Sequence, residues 1–273
     1  MYGWEAMDLL TFRAIHCFLY RRRAVTRFRI KHQNMKILLT GATGYIGKRL
    51  LPVLLSEGHH VVCIVRDRAR LDLSQYDPKQ LSLVEANFLE PDTLKQIPED
   101  IDAAYYLIHS MSTSGNDFES MERQSAHNFR KRLDQTNVRQ VVYLSGITNQ
   151  EQLSSHLRSR KAVEDILSSG RFRLTTLRAG IIIGSGSASF EIIRDLVEKL
   201  PVMIAPRWLN TRSQPIAIRN VIQFLTGVLL HPDTFAKSFD IGGPEILTYR
   251  EMLLEFARVR KLRRTIWVVP VMT

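Results

Sequence analysis

Three glycines at a fixed spacing constrain the fold of this chain more than any other feature. Gly41, Gly44 and Gly47 lie in the segment TGATGYIG, which follows an apolar run and precedes a stretch with helical periodicity. Glycine allows a tight turn and a close approach of the backbone to a pyrophosphate, and a helix N-terminus offers free N–H groups to such an anion. The spacing therefore predicts a phosphate-binding loop between a strand and a helix, and the alternative is a tight turn without a ligand. The residues expected to bind a dinucleotide here are Gly41, Thr43, Gly44, Tyr45, Ile46 and Gly47.

The end of the second predicted strand indicates which dinucleotide is bound. An acidic residue there accepts a hydrogen bond from the ribose 2′-hydroxyl of NAD, whereas a cation there binds the 2′-phosphate of NADP. Arg66 is the first residue after the run VVCIV, and Asp67 follows it. The sequence therefore favours NADP(H), with Arg66 at the 2′-phosphate. NAD(H) is the alternative, with Arg66 over the adenine and Asp67 at the hydroxyl.

Short apolar runs alternate with helix-period stretches from Lys36 onward, which predicts an α/β fold with a doubly wound parallel sheet. We expect a dinucleotide-binding domain over residues 35–183 and a small substrate lobe over residues 184–273. Because the chain stops inside an apolar run, this lobe is expected to be truncated at its C-terminal end. The predicted strands are residues 36–40, 60–65, 81–85, 103–108, 140–145, 174–179 and 238–241. The predicted helices are residues 46–56, 91–96, 117–136, 159–168, 190–200 and 221–231.

The net charge of +11 is concentrated at two places. Residues 1–34 carry seven basic and two acidic side chains, and residues 258–264 carry five basic side chains and no acid. Each of these two segments contributes +5, so the remainder of the chain has a net charge of only +1. A neutral body argues against nucleic-acid binding. We interpret residues 1–34 as a basic N-terminal extension of poor order that precedes the natural start at Met35. The alternative is an amphipathic arm that contacts a membrane or a partner.

Cysteine content and hydropathy exclude several other classes of protein. Cys17 and Cys63 are too few for a disulfide framework or a zinc site, so we expect no metal and a reducing, cytoplasmic location. No apolar run reaches the length of about 18 residues that a membrane span requires. The sequence does not indicate the oligomeric state.

Five motifs together resemble a known family. TGATGYIG, VVCIVRD, VVYLSG, LRAGIIIG and IGGPE resemble the short-chain dehydrogenase/reductase superfamily, in its atypical, NmrA-like branch of NAD(P)H-binding and nucleoside-diphosphate-sugar epimerase proteins. The resemblance extends over about residues 35–270. It implies a Rossmann fold with strand order 3-2-1-4-5-6-7, a nicotinamide cofactor, and a C-terminal lobe that selects a small-molecule substrate.

The catalytic residues of that superfamily are matched only in part. Its enzymes place a Ser at the end of the fifth strand and a Tyr-x-x-x-Lys pair on the next helix, where Lys lowers the phenol pKa for proton exchange. Ser145 matches the Ser, while the helix has no Tyr and instead offers His156 and Arg160. A shift by one residue aligns Leu157 and Lys161. The other interpretations are a solvated His156, and a surface turn in which Arg160 and Lys161 pair with Glu164.

Two further positions are expected near the cofactor from the resemblance. Asn87 stands where related sequences usually have an Asp near the adenine, and His109 follows the fourth strand, near the nicotinamide-side ribose. These features favour an NAD(P)-dependent oxidoreductase, or an epimerase-like enzyme, acting on an unidentified carbonyl or sugar-type substrate. Because the catalytic Tyr is missing, the alternative is a catalytically silent NADP(H)-binding redox sensor or assembly factor.

Overall fold

A seven-stranded parallel sheet organises residues 35–273, which make up one compact unit. The computed structural model describes residues 34–72, 74–108, 117–147 and 155–269, and the N-terminal extension predicted over residues 1–34 lies, except for Asn34, outside these ranges. The strands of the sheet are β1 (Lys36–Thr40), β2 (His60–Val65), β3 (Leu81–Glu85), β4 (Ala103–Tyr106), β5 (Gln140–Gly146), β6 (Arg173–Ala179) and β11 (Lys237–Ile241).

The order of these strands across the sheet is β3-β2-β1-β4-β5-β6-β11. This confirms the α/β doubly wound fold and the predicted strand order. Almost every residue of β1, β2, β4 and β5 is buried, because helices cover both faces of a parallel sheet. Since β1 runs next to both β2 and β4, the order of the chain reverses at the carboxyl ends of β1 and β4. Ligands bind at such a switch point in open α/β sheets.

Six α-helices are present in the described residues. They are α1 (Gly47–Ser56), α2 (Asp117–Leu133), α3 (Ser155–Ser168), α4 (Ala188–Lys199), α5 (Ile218–Gly227) and α6 (Tyr249–Val259). The stretch predicted as a helix over residues 91–96 is a 3-10 helix, Pro91–Gln96.

Three of the predicted ends that differ from the structure are explained by specific hydrogen bonds. β4 stops at Tyr106, because the next backbone N–H, that of Leu107, donates to the Thr40 hydroxyl at 3.0 Å instead of joining the sheet. α2 ends three residues before Thr136, whose hydroxyl donates to the Leu133 carbonyl. α5 ends well before residue 231, since Leu230 has a φ of 50° and its N–H donates to the Gln140 side chain.

The C-terminal lobe has its own small core. Helices α4 and α6 pack on the two-stranded parallel sheet of β8 (Val202–Pro206) and β13 (Thr265–Val269). The buried side chains that join them are Ile193, Val197, Met203, Ala205, Leu209, Met252, Leu253, Ala257 and Ile266. Short strand pairs, β7 (Ile182–Ile183) with β10 (Ile216–Ala217) and β9 (Arg212–Ser213) with β12 (Leu247–Thr248), complete the lobe.

Candidate dinucleotide site

The loop between β1 and α1 has the geometry of a phosphate cradle. Gly41 has a φ of 67°, a backbone conformation that side-chain-bearing residues rarely adopt, and its carbonyl accepts the Gly44 N–H at 2.9 Å. A Cβ on Gly47 would collide with the Gly41 carbonyl and would lie 2.8 Å from the Ala42 Cα. A Cβ on Gly44, in contrast, would meet only the Gly41 carbonyl oxygen, at 3.1 Å. Backbone conformation and packing therefore require glycine at positions 41 and 47. The space next to the Cα atom of Gly44 is open except for the Gly41 carbonyl oxygen.

The start of α1 presents one backbone donor to this open side. Ile46, at the N-cap, has no side-chain cap, and the N–H groups of Lys48 and Arg49 donate to the carbonyls of Gly44 and Ile46, both at 3.0 Å. The Gly47 N–H makes no backbone hydrogen bond within the described residues and can donate to an anion. Thr40 anchors the loop to the next strand, because its fully buried hydroxyl donates to the Tyr105 carbonyl and accepts the Leu107 N–H, both at 3.0 Å. Together these contacts hold the loop at the switch point, and the residues present fit a dinucleotide pyrophosphate.

The side chain of Tyr45 contacts the start of the C-terminal lobe. A Cβ on Gly184 would come within 2.5 Å of the Tyr45 hydroxyl, so the ring occupies the space beside that glycine. The Arg49 guanidinium lies 3.9 Å from the centre of the Tyr45 ring and donates to the Ser185 carbonyl at 2.7 Å. Burial raises the pKa of Tyr45, and the nearby Arg49 opposes that shift. The sequence analysis missed Arg49, although its spacing of four residues from Tyr45, which directly precedes the predicted helix, was a usable signal. Thr43 and Ile46 are half-buried.

Arg66 and Asp67, the two charged residues that follow β2, make different contacts. Arg66 is exposed directly after the last residue of β2. Asp67 caps the 3-10 helix Arg68–Arg70 by accepting the Ala69 N–H at 2.9 Å. Arg68 faces the neighbouring strand, where it donates to the Leu83 carbonyl at 3.2 Å. Arg66 is thus the cation at the strand end that makes no ion pair within the described residues.

Asn87 uses its side chain within its own turn. Its carbonyl oxygen accepts the Leu89 N–H at 3.1 Å, and its amide donates to Glu90 at 2.7 Å. The turn lies directly beyond β3, at the carboxyl edge of the sheet. His109, the other residue expected near the cofactor from the resemblance, lies outside the described residues.

Two of the predicted catalytic residues, Ser145 and Arg160, lie near the carboxyl end of β5. Ser145 is 3% exposed. The Arg160 side chain extends from α3 over Gly146, since a Cβ on that glycine would lie 2.7 Å from the guanidinium. Tyr143 donates to the Arg160 carbonyl at 3.4 Å. Burial raises the pKa of Tyr143 well above its usual range, while hydrogen bonding to Ser145 opposes that shift. His156 lies in the first turn of α3, and its side chain is outside the described part of the chain.

The pairing of Glu164 with Arg160 or Lys161, considered as an alternative from the sequence, is wrong. Lys161 pairs with Asp165 at 2.7 Å. The buried Glu164 instead binds Arg178 of β6 through two hydrogen bonds of 2.7 and 3.2 Å. Ser238 of β11 also donates to Glu164, at 2.9 Å. This pair ties α3 to the sheet, and the sequence analysis did not find it.

The described part of the chain meets neither the requirements of a metal site nor those of a membrane-spanning helix. The described ranges contain no group of three or more His, Cys, Asp or Glu side chains placed to bind a metal ion. Among the helices described there, none has both the length and the apolar character needed to cross a bilayer.

Comparison with known proteins agrees with this geometry. The model of the NAD(P)H-binding family matches residues 41–196. The photosystem II assembly factor Ycf39 of Synechocystis is 25% identical over 112 residues, which are 41% of this chain and 33% of that protein. The chain spans a third or less of the length of the curated relatives it matches.

Solved structures share the fold at low sequence identity. The UDP-glucuronic acid 4-epimerase of Bacillus cereus in complex with NAD superimposes with a TM-score of 0.71 at 17% identity, over 86% of each chain. A short-chain dehydrogenase/reductase superfamily protein of Agrobacterium tumefaciens with bound NAD gives 0.66 at 17% identity, over 86% of this chain and 85% of that one.

Proposed function

The chain belongs to the NAD(P)H-binding family, and from this premise we propose that it is an NADP(H)-dependent oxidoreductase of the atypical short-chain type. The substrate class is a small molecule with a carbonyl or sugar-type hydroxyl. One observation carries the proposal: the glycine loop opens at the switch point, and the carboxyl end of β5, where Ser145 lies and the Arg160 side chain passes over Gly146, is on the same edge of the sheet. A bound nicotinamide supplies hydride transfer, which these side chains do not provide.

The preference for NADP(H) rests on the turn after β2. Arg66 is exposed, whereas a carboxylate oxygen of Asp67 accepts a hydrogen bond from the Ala69 N–H. A cation at this place binds a 2′-phosphate, and a carboxylate there would repel it.

Replacing Arg66 by alanine tests this preference. Each charged hydrogen bond contributes about 1.5–3 kcal/mol, so Arg66→Ala should weaken NADPH binding by about 10- to 150-fold and change NADH binding little. The dissociation constants of both cofactors can be measured by titration calorimetry. Arg70→Ala, which removes an exposed cation from the same turn, is the matched control. Equal losses for both cofactors would remove the basis for NADP(H).

In the proposed reaction, the protein supplies a proton and positions the reacting oxygen. The Ser145 hydroxyl donates a hydrogen bond to that oxygen. Arg160 stays charged at any working pH and therefore orients and polarises but does not transfer a proton. We assign the proton to the imidazole of His156, which aligns with the position of the missing Tyr, because imidazole is the side-chain group best suited to proton transfer near neutral pH.

Replacing His156 by alanine tests the assignment of the proton. His156→Ala should lower the turnover of carbonyl substrates by about 100-fold and remove a titration near neutral pH from the rate profile. Ser159→Ala, on the same helix, is a control for disturbance of α3. An unchanged rate and pH profile would eliminate His156 as the acid.

A second function is favoured by one specific observation. The described part of α3 has no Tyr at the family's catalytic position, and one relative is named as an assembly factor. On this alternative, the chain binds NADP(H) without turnover and reports the redox state to a partner. Tight cofactor binding without turnover of any carbonyl or sugar-nucleotide substrate would support it.

A further inference from the structure

Exposed apolar side chains are concentrated in one part of the C-terminal lobe. Ten large hydrophobic residues are exposed in the described chain, and seven of them lie within residues 192–204 or 259–267. Scattered single residues of this kind are normal, but clustering marks an interaction surface. The seven residues are Ile192, Leu196, Leu200, Val202, Ile204, Val259 and Trp267.

The outward face of the β8–β13 sheet contains the most exposed of them. Met203 and Ala205 point inward to helices α4 and α6, so their neighbours Val202 and Ile204 point outward, 59% and 75% exposed. In the parallel register, Trp267 pairs with Ile204 and is 65% exposed. These three side chains therefore form one flat apolar face, which we call the β8–β13 face. Nothing in the described residues covers it.

Positive charge adjoins this face. Residues 258–264 hold five basic side chains and no acid. Arg258 and Arg260 are neutralised by Glu255 and Glu198, at 2.6 and 3.0 Å. The Arg264 guanidinium turns inward to backbone carbonyls near the end of α4.

Lys261 and Arg263 are the two cations that remain. Both are exposed and form no ion pair within the described residues. Exposure alternates from here into β13: residues 261, 263, 265 and 267 are exposed, while residues 262, 264 and 266 are at least partly buried. Arg263 therefore extends the same side of the chain as Trp267.

We propose that the β8–β13 face docks on an anionic lipid surface. Tryptophan prefers the headgroup level of a bilayer, aliphatic side chains enter the acyl boundary, and adjacent Lys and Arg bind anionic headgroups. Charge complementarity selects this occupant over a second copy of the chain, since two such faces would bring unpaired cations of the same sign together. With two free cations, the attachment is reversible and weakens with salt.

Vesicle binding by the full chain tests the proposal. Co-sedimentation should be strong with a two-to-one mixture of phosphatidylcholine and phosphatidylserine and weak with phosphatidylcholine alone. Lys261→Glu with Arg263→Glu should reduce binding at least about tenfold, since each cation contributes about fivefold near a charged surface. Trp267→Ala should reduce it as well, with unchanged melting temperature because the side chain is exposed. The matched controls, which should bind normally, are Trp208→Ala and the pair Lys79→Glu with Arg171→Glu.

Two results would overturn the proposal. Equal binding to both vesicle types, or equal losses in the control variants, would show that the β8–β13 face is not the lipid-binding surface. A shift from dimer to monomer caused by Trp267→Ala in sedimentation without vesicles would show that a second copy covers the face instead. Neither result bears on cofactor binding, which remote residues carry.

Discussion

Adding one methyl group at each of three glycines can separate the packing role of the phosphate loop from its binding role. At Gly44 a Cβ has a single close neighbour, the Gly41 carbonyl oxygen at 3.1 Å, and the backbone is not in the left-handed region. Gly44→Ala should therefore change the free energy of unfolding by less than about 1 kcal/mol, because reduced entropy of the unfolded chain offsets the tight contact. The same methyl fills the space that a pyrophosphate needs.

Binding should suffer much more than stability in this variant. Losing one or two charged hydrogen bonds from backbone N–H groups costs about 1.5–3 kcal/mol each, so the dissociation constant for NADPH should rise by at least about tenfold. Urea denaturation gives the stability and titration calorimetry gives the affinity.

Two other glycines serve as controls with opposite expectations. At Gly47 a Cβ would collide with the backbone of Gly41 and Ala42, so Gly47→Ala should lower stability by about 1–3 kcal/mol. Gly58 has a φ of 87° and no atom within 4 Å of a Cβ, so Gly58→Ala should cost about 1–2 kcal/mol of backbone strain and leave binding unchanged. If Gly44→Ala binds NADPH as the unmodified protein does, the open side of the loop does not hold a pyrophosphate.

Two further predictions concern buried groups. Glu164→Gln removes the closer of the two carboxylates beside Arg178 and leaves Asp240 at 3.9 Å. The free energy of unfolding in urea should fall by about 1–3 kcal/mol, less than for a fully buried pair, because Asp240 remains and Arg178 is 20% exposed. Lys161→Ala, which breaks an exposed pair, should cost under about 0.5 kcal/mol. Burial raises the pKa of the Cys63 thiol from 9.0 to about 12. Because the thiol of the unfolded chain ionises at a lower pH than that of the folded chain, Cys63 lowers the free energy of unfolding as the pH rises above 9.0. Cys63 should therefore resist iodoacetamide at pH 9 until urea unfolds the chain. Alkylation of the folded protein would contradict this prediction.

The sheet could be predicted because its signals are local. β-branched apolar runs identify the strands, and the glycine loop after Thr40 identifies the first of them. Helix ends were less accurate, since α5 ends where the Gln140 side chain, far away in sequence, binds the Leu230 N–H. An end that depends on a distant residue leaves no trace in the local pattern.

In the candidate site, too, contacts within one element could be predicted and contacts between elements could not. The Lys161–Asp165 pair follows the i, i+4 rule, so spacing along one helix could have identified it. Glu164 pairs with Arg178, a residue of another element, and only the packing of α3 on β6 brings them together. From the sequence, Asp67 could equally bind the ribose hydroxyl of NAD. Only the backbone of the turn shows that its carboxylate caps the 3-10 helix instead.

The topology explains why a chain of this family can keep cofactor binding and change its catalytic residues. Only β4 lies between β1 and β5, so the glycine loop and Ser145 end strands about 10 Å apart along one edge of the sheet. The loop is held by Thr40, β4 and α1, while Arg160 and His156 are placed by α3, which the Glu164–Arg178 pair fastens to β6. Within the described residues, the hydrogen bonds that hold the loop to the sheet join Thr40 to Tyr105 and Leu107 and involve no residue of α3, so we expect a replacement at the Tyr position to leave the dinucleotide site intact. On the proposed function, the first turn of α3 decides whether the protein catalyses or only binds, and His156→Ala is the substitution that tests this.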